Sequence, residues 1–204
     1  MTYGQVRLAA LRLLNAASIG GKEIPPSYNG QADLLQAMPS LVDDAAMQIA
    51  TTVKKIPAAA SLESLDRRTE GGRTLYTLPS DCWRLKGGGL LRGESGERFA
   101  GYRLVGNSLL LPEGESGLWV EYWRYPGSVG AAPADDTPLD NSPETHTAIP
   151  YFVAGQLVMY DDPYRYAALH NEWETRLSRL SEAAAAEEGR VRDRYAGFDC
   201  GELW

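Results

Sequence analysis

Apolar residues recur at helical spacing near both ends of this chain and lose that spacing in between. Leu34, Leu35, Met38, Leu41, Val42, Ala45, Ala46, Ile49, Ala50 and Val53 keep it for about five turns. Leu169, Trp173, Leu177, Leu180 and Ala184 form a second stripe. Between them, from Ile56 onward, come short runs of strand chemistry punctuated by Gly, Asn and Pro. An apolar stripe must be buried against another element, and the two helical parts have only each other. The pattern therefore predicts an α+β fold. A helical bundle forms from N- and C-terminal helices, an antiparallel β subdomain is inserted between them, and an extended C-terminal tail follows. The expected boundaries are 1–55 and 145–189 for the helical domain, 56–127 for the β subdomain, 128–144 for a linker and 190–204 for an arm.

Local signals refine this. Thr2 can cap a helix opening at Tyr3, with Val6, Ala9, Ala10, Leu13 and Leu14 on one face. Pro39 sits inside the second pattern, and proline suits a first helical turn better than an interior. The reading therefore splits that region into a short helix over 31–37 and a longer one from Pro39 to Lys54-Lys55. Strands are expected within 73–126, with a tight hairpin at Gly106-Asn107. Residues 56–72 carry no steady period. Residues 128–144 are small, proline-rich and acidic, with little to bury. A helix from about Thr147 carries Ile149, Phe152, Val153, Gln156, Leu157 and Tyr160. Asp162 can cap the next helix, with Pro163 at its first position, ending near Gly189.

Residue chemistry offers no convincing catalytic group. Cys82 as a nucleophile needs a base, and neither His146 nor His170 is close in sequence. Burial is the commoner fate of a lone cysteine. Two cysteines and two histidines at these spacings make a poor zinc site. Lys86 precedes the glycines at 87–89, where a phosphate loop needs Gly-Lys-Ser/Thr, so a bulge or a sharp bend is expected there. The paired acids at 43–44, 135–136, 161–162 and 187–188 read as solvated or capping. The turn at 76–85 (YTLPSDCWRL) reads as a structural corner in which Asp81 bonds local backbone.

The formal net charge of −7 argues against gripping nucleic acid as the main task. No apolar run reaches the ~20 residues of a membrane span, and no export signal is evident. A chain made and kept soluble in the cytoplasm is expected. What stands out is surplus aromatic surface. Trp119, Tyr122, Trp123 and Tyr125 cluster in one strand, and Tyr195, Phe198, Leu203 and Trp204 tip the last segment. Local cations beside the first cluster amount to Arg124, so packing or a subunit contact is preferred to base stacking.

Three elements carry a family resemblance. They are Tyr76-x-Leu78-Pro79-x-Asp81, Tyr122-x-Arg124-Tyr125-Pro126, and a helix ending in Asp161-Asp162 before a helix that bears Trp173. With GNSLLLPEG at 106–114, these resemble the head-to-tail adaptor (connector) proteins of tailed bacteriophages, podovirus-type, over about residues 2–185. The resemblance implies a structural virion protein in the neck, assembled in the host cytoplasm. It would be a homo-oligomeric ring, commonly twelve-fold, bound to the portal protein and to a tail (nozzle or tail tube) protein. DNA would pass through its lumen without sequence-specific binding. It implies no enzyme activity, no cofactor, no metal and no membrane. On this view Tyr195, Phe198, Leu203 and Trp204 are portal-contact candidates, and Trp119, Tyr122, Trp123 and Tyr125 are subunit- or tail-contact candidates. The alternatives are another neck component (a head- or tail-completion protein) or a small virion-associated cell-wall hydrolase.

Overall fold

The computed structural model describes residues 1–15, 18–19, 22–23, 32–93 and 95–196, without the side chains of 18–19, 22–23 and 185–196. The chain forms two compact units, Met1–Lys54 with Pro126–Trp204, and Lys55–Tyr125. Helices and antiparallel sheets are both present, with the β region inserted between helices, so the α+β class holds.

The first unit is helical. Helix α1 (Tyr3–Leu13) opens on a capping box, in which the Gln5 amide donates to the Thr2 hydroxyl and the Thr2 amide to the Gln5 side chain. A two-residue pair follows, β1 (Ser18–Ile19) with β2 (Lys22–Glu23), where the sequence suggests only a break. Helix α2 (Ala32–Thr52) is continuous through Pro39, which corrects the expected split. Pro39 lacks the N–H an interior residue donates. Yet Met38, Val42, Ala45 and Ile49 on both sides of it are buried in one core, and the ring is buried with them. Burial of a single stripe outweighs one missing hydrogen bond.

Helix α3 (Ile149–Val158) is the centre of this unit. It packs against α1, α2 and α4 (Pro163–Ala196). Ile149, Val153 and Ala154 are fully buried, and the Phe152 ring lies 5.1 Å from Trp173 of α4. Asp162 caps α4 by accepting from the Arg165 amide at 3.0 Å. The helix continues through the expected stop at Gly189 to Ala196. A lone glycine costs a helix only about 1 kcal/mol.

Residues 126–142 are not a free linker. They form a strap bound into the helical unit. Tyr3 and Gly4 amides donate to the Thr137 and Asp135 carbonyls, and Thr2 bridges Pro138. Asp43 accepts from the Ser128 hydroxyl and the Val129 amide. Buried Asn141 donates to the Ala46 carbonyl at 3.0 Å. Low apolar content hid this, because backbone and carboxylate bonds hold the strap instead.

The second unit is a sandwich of two four-stranded antiparallel sheets. The first sheet runs β3 (Ile56–Ser61), β10 (Leu118–Arg124), β6 (Cys82–Arg92), β7 (Arg98–Phe99). The second runs β4 (Arg67–Glu70), β5 (Arg73–Thr77), β9 (Ser108–Pro112), β8 (Arg103–Val105). Leu90, Leu118, Val120 and Tyr122 from the first meet Tyr76, Leu109 and Leu111 from the second in one core. β3 and β4 arise where the sequence shows no period. β4 (RRTE) is an exposed edge strand with nothing to bury, and β3 is an alanine-rich edge strand that tolerates Pro57.

The hairpin between β8 and β9 turns on Gly106 with φ +59°, as a glycine-first two-residue turn requires. The glycines at 87–89 form the expected bulge. Tyr122 pairs with Leu85 and Val120 with Leu90, so 86–89 oppose Glu121 alone.

Candidate functional site

The corner at 76–85 is built by three bonds. The Cys82 amide donates to the Pro79 carbonyl, and the Tyr125 amide to the Asp81 carbonyl. The Asp81 carboxylate accepts from the Tyr122 hydroxyl at 3.3 Å, where the sequence reading expected local backbone. Burial, and then the Asp81 charge, push the Cys82 thiol up from its ordinary value. A raised thiol pKa is the opposite of what a nucleophile needs. Among the described residues, no His, Cys, Asp and Glu side chains gather in a group that could hold a metal ion.

Among the described residues, open clefts on the β unit include two lined by titratable side chains. One, of about 380 Å³, is lined by Glu63, Arg67, Tyr76 and Glu115. The other, of about 330 Å³, is lined by Arg73, Tyr102, Arg103 and Leu110. Neither pairs a nucleophile with a base. On α4, Tyr166 stacks on His170, His170 lies 3.9 Å from Glu174, and Arg165 donates to the Leu13 carbonyl. This is packing and surface pairing.

Strand alternation divides the aromatic cluster of β10. Leu118, Val120 and Tyr122 point into the sandwich, and Trp119, Glu121 and Trp123 point out. Tyr122 is only 5% exposed, so it is a core residue and not a surface contact candidate. Its hydroxyl lifts in pKa through burial and then through the nearby Asp81 charge. Trp119 is 45% exposed. Tyr125 stacks on Trp83 with 6.4 Å between ring centroids. The Trp123 ring carries the Lys86 ammonium at 4.9 Å and the Lys55 ammonium at 5.7 Å.

The structure also exposes a feature that the sequence reading placed inside a helix. Tyr160, expected in the helix from Thr147, is 89% exposed, and Tyr164 is 91% exposed. Helix α3 ends at Val158, and the turn through Tyr160 and Asp161 carries both rings outward around the Asp162 cap. The signal was present in Tyr-Asp-Asp-Pro-Tyr, where a capped break flanked by aromatics marks a corner. Exposed Met159 adds apolar surface beside them. On α4, Leu169 and Trp173 are buried, but Leu177, Leu180 and Ala184 are only half covered.

Of the portal-contact candidates, Tyr195 lies within α4 with its side chain outside the described residues. Phe198, Leu203 and Trp204 lie outside the described residues altogether.

Charge is divided between the units. Lys55–Tyr125 holds 10 basic and 9 acidic residues, and the rest of the chain 10 and 18. Among the described residues no helix is long and apolar enough to cross a membrane. No protein-family model matches the chain, and no curated protein matches it.

Proposed function

We propose that this chain is a structural virion protein of a tailed bacteriophage, a ring that connects the portal vertex to the tail and helps retain or channel packaged DNA. The observation that carries the reading is the corner at residues 159–164. Two tyrosines nearly free of contacts stand on a well-packed helical unit, within the segment that carries the resemblance. Exposed aromatics on a rigid corner are the stuff of interface hot spots. The half-covered stripe from Leu177 onward on α4 offers the same unit a second apolar face. The β sandwich, inserted as a separate unit, is available to a neighbouring subunit or a tail protein through Tyr125, which is 37% exposed. The chain is not an enzyme on this reading, and its place is the neck of the particle.

The test is the mass of the purified protein, alone and mixed with portal rings, by native mass spectrometry. Association in ring stoichiometry that is lost on deleting residues 190–204, and weakened by Tyr160→Ser with Tyr164→Ser, supports the reading. A monomer that ignores the portal overturns it.

A further inference from the structure

The outward face of the first sheet gathers cations that are scattered in sequence. Arg84 pairs with Trp123 across β6 and β10, so both face outward. Lys86 and Lys55 lie over the Trp123 ring. Leu91 pairs with Trp119 on one side and with Arg98 on the other, which extends the row to β7. Pro57, Ala59 and Ser61 of β3 sit opposite Trp123, Glu121 and Trp119. Their small size leaves the indoles standing above the strand. Among the described residues of these strands, Glu121 is the carboxylate on this face, 3.8 Å from Lys86.

We infer that this face is a binding site for single-stranded nucleic acid. Trp119 offers a flat, 45% exposed ring to an unpaired base. Arg98 lies in the same row beyond Leu91, and Lys55, Lys86 and Arg84 gather at Trp123 four residues along the strand, where they take the neighbouring phosphates. Interleaved aromatics and cations on a sheet are how sequence-tolerant single-strand binders work. A protein partner fits less well, because interface centres are poor in lysine. A duplex fits less well, because its bases already stack on one another. The unit that carries the face has a net charge of +1 while the rest of the chain has −8. Contact is therefore confined to this face, weak overall, and steeply dependent on salt.

The test uses the full chain and a fluorescein-labelled oligo(dT) of roughly ten nucleotides, read by fluorescence anisotropy. With three or four phosphates neutralised, raising salt from 50 to 200 mM weakens binding roughly 20- to 50-fold. Trp119→Ala weakens it at least about fivefold. Lys55→Ala with Lys86→Ala lowers the salt slope by about 1.4. Circular dichroism checks that each variant is folded, and Arg98→Glu at the exposed sheet edge serves if Trp119→Ala is not. The inference is overturned by absence of binding at 50 mM salt, or by unchanged affinity in folded Trp119→Ala and Arg98→Glu proteins. It is equally overturned if polyphosphate or a duplex of the same length competes as well as unlabelled oligo(dT). The assay contains no portal, so either result leaves the ring reading to its own test.

Discussion

The Arg7 guanidinium holds the Asp135 carboxylate through two bonds, of 2.7 and 2.9 Å. The pair ties the first helix to the strap that returns from the β unit. It is partly exposed, so the ion pair contributes about 1 kcal/mol at most. The closer constraint is steric.

At Gly4, one helical turn before Arg7, an added Cβ meets the Asp135 carbonyl oxygen and Cβ at 2.8 Å. In an open helix Gly→Ala stabilises by about 1 kcal/mol. Here the sign reverses. Gly4→Ala must push the strap away or bend α1, and it should destabilise by about 1–3 kcal/mol. Denaturant unfolding followed by circular dichroism at 222 nm checks this, and a rise in midpoint sinks the account of the strap.

Trp173 is fully buried against Phe152, and its indole N–H has no hydrogen-bond partner among the described residues. The ring's worth is therefore packing, not polarity. Trp173→Ala should cost about 3–5 kcal/mol. Trp173→Phe removes an unpaired donor along with some volume, and should cost less than half as much. Equal losses in thermal melts of the two variants would show that the N–H matters after all, through a bound water.

Cys82 gives a chemical readout of the corner at 76–85. With its thiol pKa raised by burial and by Asp81, little thiolate is present at neutral pH. In a Cys200→Ser background, iodoacetamide should alkylate the folded protein several-fold more slowly than the urea-unfolded chain at pH 7.5. Asp81→Asn should speed the folded reaction by removing the repelling charge. Fast alkylation of the folded protein would reopen the nucleophile reading.

How legible all this was depended on whether a feature is local. The Thr2 and Asp162 caps follow from neighbours a few residues apart, and the sequence displays them. The strap does not show, because its partners Asp43, Arg7 and Ala46 lie far away along the chain and bond it through polar groups. β4 does not show, because an edge strand of Arg, Thr and Glu needs only a paired backbone. Pro39 misled because propensity speaks for one residue, whereas burial of Met38, Val42 and Ile49 speaks for the whole helix. The candidate site was half legible. Its tryptophans share β10, but Lys55, Lys86 and Arg98 reach them only through sheet order, and Tyr122 shares their strand while facing the core.

His146 sets the pH dependence of the helical unit. Its ring is buried, and its Nε2–H donates to the Asn141 carbonyl at 2.7 Å. Burial disfavours the charged ring and lowers its pKa below the ordinary 6.5, against a smaller opposing pull from that hydrogen bond. Below about pH 6.5 the unfolded chain therefore binds a proton that the folded one refuses. Stability rises with pH wherever the unfolded state holds more protons. The fold should be insensitive to this group above about pH 7. It should lose up to about 1.4 kcal/mol per pH unit as pH falls from 6.5 toward the lowered folded value. Glu144, whose pKa is lowered by a backbone hydrogen bond and by Lys54, acts in the same direction but below 4.5. The two windows are thus separable. His146→Gln keeps a side-chain N–H donor and cannot titrate, so it should flatten the stability profile between pH 5 and 6.5 while leaving the acid limb intact. Urea midpoints measured across that range check it. A profile that still falls through pH 6 in the variant would assign the loss to another group.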